Sequence, residues 1–341
     1  MSDLDPRVDL VFEGGGVKGI GLAGAFGTLW QRGFRPQCVA GTSAGAITAA
    51  LVAAGYSGEE LQQIVLEEMD FTKFADAAFL DHLGVPGDAA EFLAHRGMHS
   101  GDYFLGWITD KLKAKGKVRF GDLRDDAATS DSRRHRLQVI ASDLSAQSML
   151  VLPRDAAQLG YQNPDDLPIA EAVRMSMSIP VFFIPVTRRD SGGQDHTIVD
   201  GGLLSNFPVW LFDTPPGVVP EFPTFGLLLQ APNQSAPLIA GAPEGHLAPV
   251  TAPVDFVKAI VDTMMEAHDR LYVDSADYAR TIPIPTLGVG TTEFDIQPAQ
   301  KQALFESGAQ AATTFLASWN FDAYRAKFRA GSVSPGPPAP R

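Results

Sequence analysis

Cys38-Val39-Ala40-Gly41-Thr42-Ser43-Ala44-Gly45, with the small-residue run Ala46 to Ala54 behind it, is the stretch from which the rest of the 341-residue chain can be read. The apolar run Cys38 to Ala40 predicts a buried strand, and Ala44 to Ala54 predicts a helix. Between them, residues 41 to 45 fit G-x-S-x-G, the sharp strand-to-helix turn that presents a serine hydroxyl at the end of a sheet. Gly41 and Gly45 let neighbouring chain approach Ser43 closely, where a Cβ would collide.

Upstream, Val8-Asp9-Leu10-Val11-Phe12-Glu13 predicts a short strand that runs into Gly14-Gly15-Gly16-Val17-Lys18-Gly19. Gly14, Gly16 and Gly19 also satisfy G-x-G-x-x-G, but a dinucleotide site requires an acidic residue at the end of the second strand. None occurs between Glu13 and Glu59, and the second strand runs into the serine turn instead. A P-loop fits less well still, because the Gly-Lys-Ser/Thr ending is missing. A glycine turn with unpaired backbone N–H groups is better suited to an oxyanion hole. Far downstream, the strand-like Thr197-Ile198-Val199 delivers Asp200 onto Gly201 and Gly202. Taken alone, such a triplet caps a turn; beside the other two motifs, it is a carboxylate able to approach another loop.

G-G-G-V-K-G at 14 to 19, G-T-S-A-G at 41 to 45 and D-G-G at 200 to 202, in that order, resemble the patatin-like phospholipases. Ala141-Ser142-Asp143-Leu144, Ser176-Met177-Ser178-Ile179-Pro180 with Phe182 to Pro185 behind it, and the closing stretch Gly308 to Leu316 resemble further segments of that family, so the likeness spans about residues 8 to 320. It implies an α/β fold of three layers, α/β/α, with a mainly parallel central sheet. It also implies a Ser-Asp dyad, with Ser43 as nucleophile, Asp200 as base and the backbone amides of Gly14, Gly15 and Gly16 as oxyanion hole. Lys18, Gly19, Gly41, Gly45, Gly201 and Gly202 support these motifs, Lys18 as a loop-ordering charge. The implied substrate is a phospholipid, lysophospholipid or other acyl ester, and the chemistry needs neither metal nor organic cofactor. A carboxylate of ordinary pKa, about 3.9, is a poor base near neutrality, so an apolar surround for Asp200 is expected, with Phe182, Phe183, Leu203 and Leu204 as candidates.

Two other readings compete. A Ser-His-Asp hydrolase of the α/β-hydrolase type orders its residues Ser, acid, His. Only His246, in a Pro/Gly-rich loop, and His268, within a predicted helix over residues 254 to 280, follow Asp200. An idle lipid-binding or regulatory module is disfavoured because it has no use for a strained serine beside an oxyanion site. Glu91, His95 and His99 share a helical spacing of four that would suit a metal, but Gly97 ends that helix and swings His99 out of line. The lone Cys38 reads as a small packed hydrophobe.

No repeat or low-complexity break divides the chain before residue 331, so residues 1 to 330 read as one catalytic domain and 331 to 341 as a disordered Pro-rich tail. Strands are expected near 8–12, 37–40, 137–141, 148–152, 180–186, 197–199 and 224–229. The first residues carry no signal-peptide pattern, and the uncharged stretch Pro36 to Gly58 is assigned to a buried strand and helix, so cytoplasmic synthesis is expected. A net charge of −13 argues against nucleic acid and anionic bilayers as partners, leaving transient apolar contact with a membrane or micelle surface. The Arg133-Arg134-His135-Arg136 cluster reads as a solvated loop in preference to a headgroup site. The Pro-rich stretch 214 to 253 reads as a lid or a plain surface loop. The aromatics of residues 70 to 107 read as core or, less often, as an acyl channel.

Overall fold

The computed structural model describes residues 5–74, 101–128, 130, 133–215, 218–231, 263 and 275–329. Its centre is an eight-stranded sheet: β1 (Arg7–Phe12), β2 (Arg35–Thr42), β3 (Leu137–Asp143), β4 (Ser148–Leu152), β5 (Val186–Arg189), β6 (Asp195–Asp200), β7 (Thr224–Gln230) and β8 (Thr281–Pro285). Strands are joined in the order β5-β6-β3-β2-β1-β7-β8, with β4 also paired to β3. The run β3-β2-β1-β7-β8 is parallel, and β4, β5 and β6 pair antiparallel. Continuous apolar strands such as Leu10-Val11-Phe12, buried on both faces, are what a parallel sheet demands.

One face carries the larger core, built with helices α1 (Ile20–Gln31), α2 (Ala44–Ala54), α3 (Asp102–Ala114), α4 (Ile169–Ser176) and α5 (Pro298–Ser318). α2 is buried from Gly45 to Ala54, which explains why it carries no charged residue: a helix packed on all sides is apolar all round. Among the described residues, the other face is covered by Phe207, Val209, Leu211 and Phe212 over Val11, Cys38, Ala40, Ile140 and Val151. No helix of the described residues is long and apolar enough to cross a membrane.

Six of the expected strands are present, within a few residues of their expected ends. Residues 180 to 185 depart from expectation: they form a turn, with Val181 at φ 77°, and β5 begins only at Val186. Pro180 and Pro185 lack the N–H a strand ladder needs, which outweighs the apolar run between them. β8 went unrecognised for the same reason, since Thr-Ile-Pro-Ile-Pro reads as a breaker; the fold tolerates it at the end of the sheet path.

The basic cluster is only in part the solvated loop expected: Arg134 and Arg136 are exposed, but Arg133 and His135 are held in buried contacts. Arg133 lies 2.5 Å from the fully buried Asp9 of β1, and Arg136 donates to the carbonyls of Pro36 (2.9 Å) and Gln37 (3.1 Å). The buried His135 ring lies 2.6 Å from Asp165. These groups close the end of the sheet where the parallel strands begin, remote from Ser43. Cys38 is buried there as expected, its thiol pushed up to about 12 by burial and by the nearby Asp9 charge.

Candidate active site

Strand registers bring Ser43 and Asp200 together. β4 pairs with β3 over residues 139–143, overlapping both the β2 register (137–140) and the β6 register (141–143). β4 therefore occupies one edge of β3, while β2 and β6 share the other. β2 runs along that edge to Thr42, opposite Ile140, and β6 runs the opposite way to Asp200, opposite Ala141. Two strands thus meet end to end, and the residues at the meeting point are the elbow serine and the aspartate.

Ser43 caps α2 at φ 53°, ψ −126°, a conformation that non-glycine residues adopt only under constraint. Space for the turn comes from Gly45, since any Cβ there would penetrate the carbonyls of Phe12 and Glu13. The Ser43 N–H is satisfied by the Ser176 hydroxyl at 2.9 Å, and the Thr42 hydroxyl donates to the Ser205 carbonyl at 3.0 Å. The N-terminus of α2 points its first, unpaired amides at the elbow.

The glycine turn packs directly on the serine, with the Ser43 Cβ 3.1 Å from where a Gly14 side chain would begin. Gly14 donates its own N–H to the Asn206 carbonyl (3.0 Å), and Asn206 Nδ2 donates back to the Gly14 carbonyl (3.1 Å). The Gly14 amide is therefore committed, contrary to the expectation of three open donors. The amides of Gly15 and Gly16 have no acceptor among the described residues. Gly16 sits at φ 56° against the Thr291 carbonyl, which also accepts the Val17 N–H (3.1 Å). Lys18 lies in the last turn of the short helix Gly16–Gly19 with its stem along Gly15.

Asp200 is fully buried at the end of β6. Its N–H donates to the Ser178 carbonyl (2.9 Å), and its Oδ1 accepts the Gly202 N–H (2.8 Å). Gly201 backs onto the Ile140 carbonyl, where a Cβ would not fit. Burial pushes the carboxyl up to about 7, against the smaller, opposing effects of the Gly202 amide and the adjacent Ser43 side chain. Although Ser43 is close enough to favour the charge, Oδ2 completes no hydrogen bond of ordinary geometry and is left as an open acceptor.

From Ser43 an apolar recess extends between Ile20, Ile47, Val65, Met69, Phe71 and Phe74 on one side and Met177, Ile179, Phe183 and Phe294 on the other. Its enclosed free volume is about 50 Å³. Of the expected surround, Phe183 lines the recess and Phe182 is buried against Phe294, while Leu203 and Leu204 are only half-buried. Of the aromatics expected over residues 70 to 107, Phe71 and Phe74 line the recess and Phe104 belongs to the core, while Phe79 and Phe92 lie outside the described residues.

Residues 10–213 match the family described as Patatin-like phospholipase. The chain belongs to that family. Membership supports hydrolysis of lipid esters. The family match is accompanied by 38% identity over 317 residues to the protein YqhO of Bacillus subtilis (strain 168), spanning 92% of this chain and 99% of that one. The protein R571 of Acanthamoeba polyphaga mimivirus is 24% identical over 309 residues, or 89% of this chain and 91% of that one. Among solved structures, VipD from Legionella pneumophila superposes with a TM-score of 0.53 at 19% identity, over 92% of this chain and 67% of VipD. ExoU in its complex with SpcU, from the type III secretion system of Pseudomonas aeruginosa, gives a TM-score of 0.51 at 18% identity, over 92% of this chain and 51% of that one. These structural likenesses establish a shared patatin-like α/β fold.

Among the described residues the histidines are His135 and His196; they pair with Asp165 and Asp143, and neither lines the recess. His246, His268, the Glu91-His95-His99 set, most of the 214–253 stretch and the 331–341 tail lie outside the described residues. Sequence reasoning missed Ser176, Ser178, Asn206, Thr291 and Phe294 as site residues. Of these, Ser176 and Ser178 stood in a segment already singled out by resemblance. Thr291 acts through its carbonyl, which leaves no trace in side-chain chemistry.

Proposed function

We propose that this protein is a lipid acyl hydrolase of the phospholipase A or lysophospholipase kind, working through a Ser43-Asp200 dyad and an acyl-enzyme. The observation that carries the reading is the buried Asp200 carboxyl, with Oδ2 open beside the Ser43 hydroxyl and its proton affinity raised to about 7. Asp200 takes the Ser43 proton as Oγ attacks the ester carbonyl, then returns it to the departing alcohol. Water repeats the cycle on the acyl-enzyme. Charge on the carbonyl oxygen is met by the Gly15 and Gly16 amides and the N-terminus of α2; one such donor is typically worth about 3 kcal/mol in the transition state.

The recess beside Ser43 is lined almost wholly by apolar side chains and suits an acyl chain better than a polar acid, which favours a phospholipid or lysophospholipid substrate. With a net charge of −13, contact with a membrane or micelle is apolar and transient. The test is labelling by an alkyl fluorophosphonate at neutral pH, mapped by peptide mass, alongside turnover of phospholipid and lysophospholipid. A single adduct at Ser43, absent in Ser43→Ala and slowed in Asp200→Asn, is expected. Equal loss of turnover on changing His246 or His268 would replace the dyad by a triad, and no adduct in folded wild-type protein would remove the hydrolase reading.

A further inference from the structure

Ser43 and Asp200 come from strands far apart in sequence, yet both backbones are tied to one short segment. Ser176, the last residue of α4, accepts the Ser43 N–H at 2.9 Å; two residues on, the Ser178 carbonyl accepts the Asp200 N–H at 2.9 Å. We propose that the turn Ser176-Met177-Ser178 is a positioning element that holds nucleophile and base in mutual register, with Ser176 its decisive side chain. The proposal rests on the reading of Ser43 and Asp200 as the reacting pair.

The Ser43 N–H has few alternatives. Ser43 is only 1% exposed, and a buried N–H without an acceptor is costly. The Ser176 oxygen meets that need from a fully buried position, so the hydroxyl fixes both the strain of the elbow and the direction of Oγ. Ser178 is locked in turn. Its hydroxyl donates to the Arg174 carbonyl (2.7 Å) and accepts from the Arg174 guanidinium, which also donates to the Ile184 carbonyl (2.9 Å). A buried arginine thereby braces the carbonyl that holds Asp200.

The alternation of the segment adds a second link. The Ser176 hydroxyl and the Ser178 carbonyl hold the backbones of the dyad, while Met177 and Ile179 line the recess. An acyl chain in the recess thus rests on the same few residues that set the distance between hydroxyl and carboxylate. Tight registration matters because small displacements of reacting groups cost large factors in rate.

The experiment measures kcat and KM on p-nitrophenyl octanoate, normalised to Ser43 sites titrated with fluorophosphonate, for wild type, Ser176→Ala and Ser176→Thr. We expect Ser176→Ala to lower kcat per titrated site by about tenfold or more at unchanged KM, with an unchanged pH midpoint. Ser176→Thr, which keeps the oxygen, should recover most of the loss. A purely structural serine would give fewer titratable sites and a lower Tm but wild-type kcat per site, and that result overturns the proposal. Should Ser176→Ala not fold, Ser178→Ala, which unties Arg174 from the turn, is read in the same assay. A several-fold drop in kcat at constant KM is then expected, and wild-type kcat overturns the proposal. Wild-type protein that neither turns over ester nor takes label would sink the functional reading and this proposal with it. Active wild type with indifferent variants sinks the positioning role alone.

Discussion

Replacing Asp200 by asparagine should abolish turnover and at the same time stabilise the protein, by an amount that depends on pH. The carboxyl is fully buried, and its pKa rises from 3.8 to about 7, chiefly because burial disfavours the charge. A carboxyl whose folded pKa lies above its unfolded value lends stability that is complete below the unfolded pKa and is lost as pH rises through the folded one. The interval from 3.8 to about 7, at about 1.4 kcal/mol per pH unit, corresponds to about 4 kcal/mol given up between pH 4 and pH 7. This is an upper value, because a folded protein relaxes around a buried charge. Asparagine keeps the acceptor for the Gly202 N–H and carries no charge, so the variant escapes that loss. Urea unfolding of both proteins at pH 5, 6, 7 and 8 should show Asp200→Asn gaining on wild type up to about pH 7 and holding its lead above it. Over the same range wild-type kcat should rise about tenfold from pH 6 to pH 8, as the fraction of ionised base grows from about 9% to about 91%. Parallel stability curves, or a wild-type rate flat across this range, would refute the argument that burial alone prepares this carboxylate.

Other perturbations test the supporting geometry. Gly16→Ala places a Cβ at φ 56° and against the Thr291 carbonyl, so turnover should fall more than tenfold and Tm by several degrees; a melting curve and rate matching wild type would contradict the packing described. Arg133→Met strands the buried Asp9, whose carboxyl burial already pushes up to about 6 despite the arginine. Urea unfolding should register a loss of about 3–5 kcal/mol, larger at pH 8 than at pH 5, while kcat per titrated Ser43 stays at the wild-type value. Val65→Trp fills part of the recess, and the ratio of kcat/KM for dodecanoyl over butanoyl p-nitrophenyl esters should fall about tenfold; an unchanged ratio would place the acyl chain elsewhere.

What the sequence reveals about this site is mostly glycine. Gly16, Gly41, Gly45 and Gly201 are required because backbone from another element lies where a side chain would be, and Gly14 because the Asn206 side chain does; a side chain at any of them would break the turn. The serine and aspartate were legible because those glycines frame them. Contacts made through main-chain carbonyls were not legible: Thr291 against Gly16 and Asn206 on the Gly14 amide use atoms that every residue possesses. Arg133 was misread for a related reason, since its partner Asp9 sits in a strand far upstream and local composition suggested solvent. Proline misled twice, concealing β8 and leaving the apolar turn at 180 to 185 to pass for a strand.

The end-to-end meeting of β2 and β6 bears on why two residues suffice in the proposed mechanism. A histidine in a triad supplies a proton affinity near neutrality by its own chemistry, and needs an acid to orient it. An aspartate has the wrong proton affinity in water and must acquire the right one from its surroundings. Seating Asp200 at the last residue of a buried strand does both tasks at once. The sheet removes water from the carboxyl, while the Ser178 and Gly202 contacts fix its direction without neutralising Oδ2. The cost is carried by the fold as the pH-dependent loss of stability described above. The same burial that turns a weak base into a useful one therefore makes the ionised carboxylate a strained component of the folded protein, and a single substitution, Asp200→Asn, should separate the two effects.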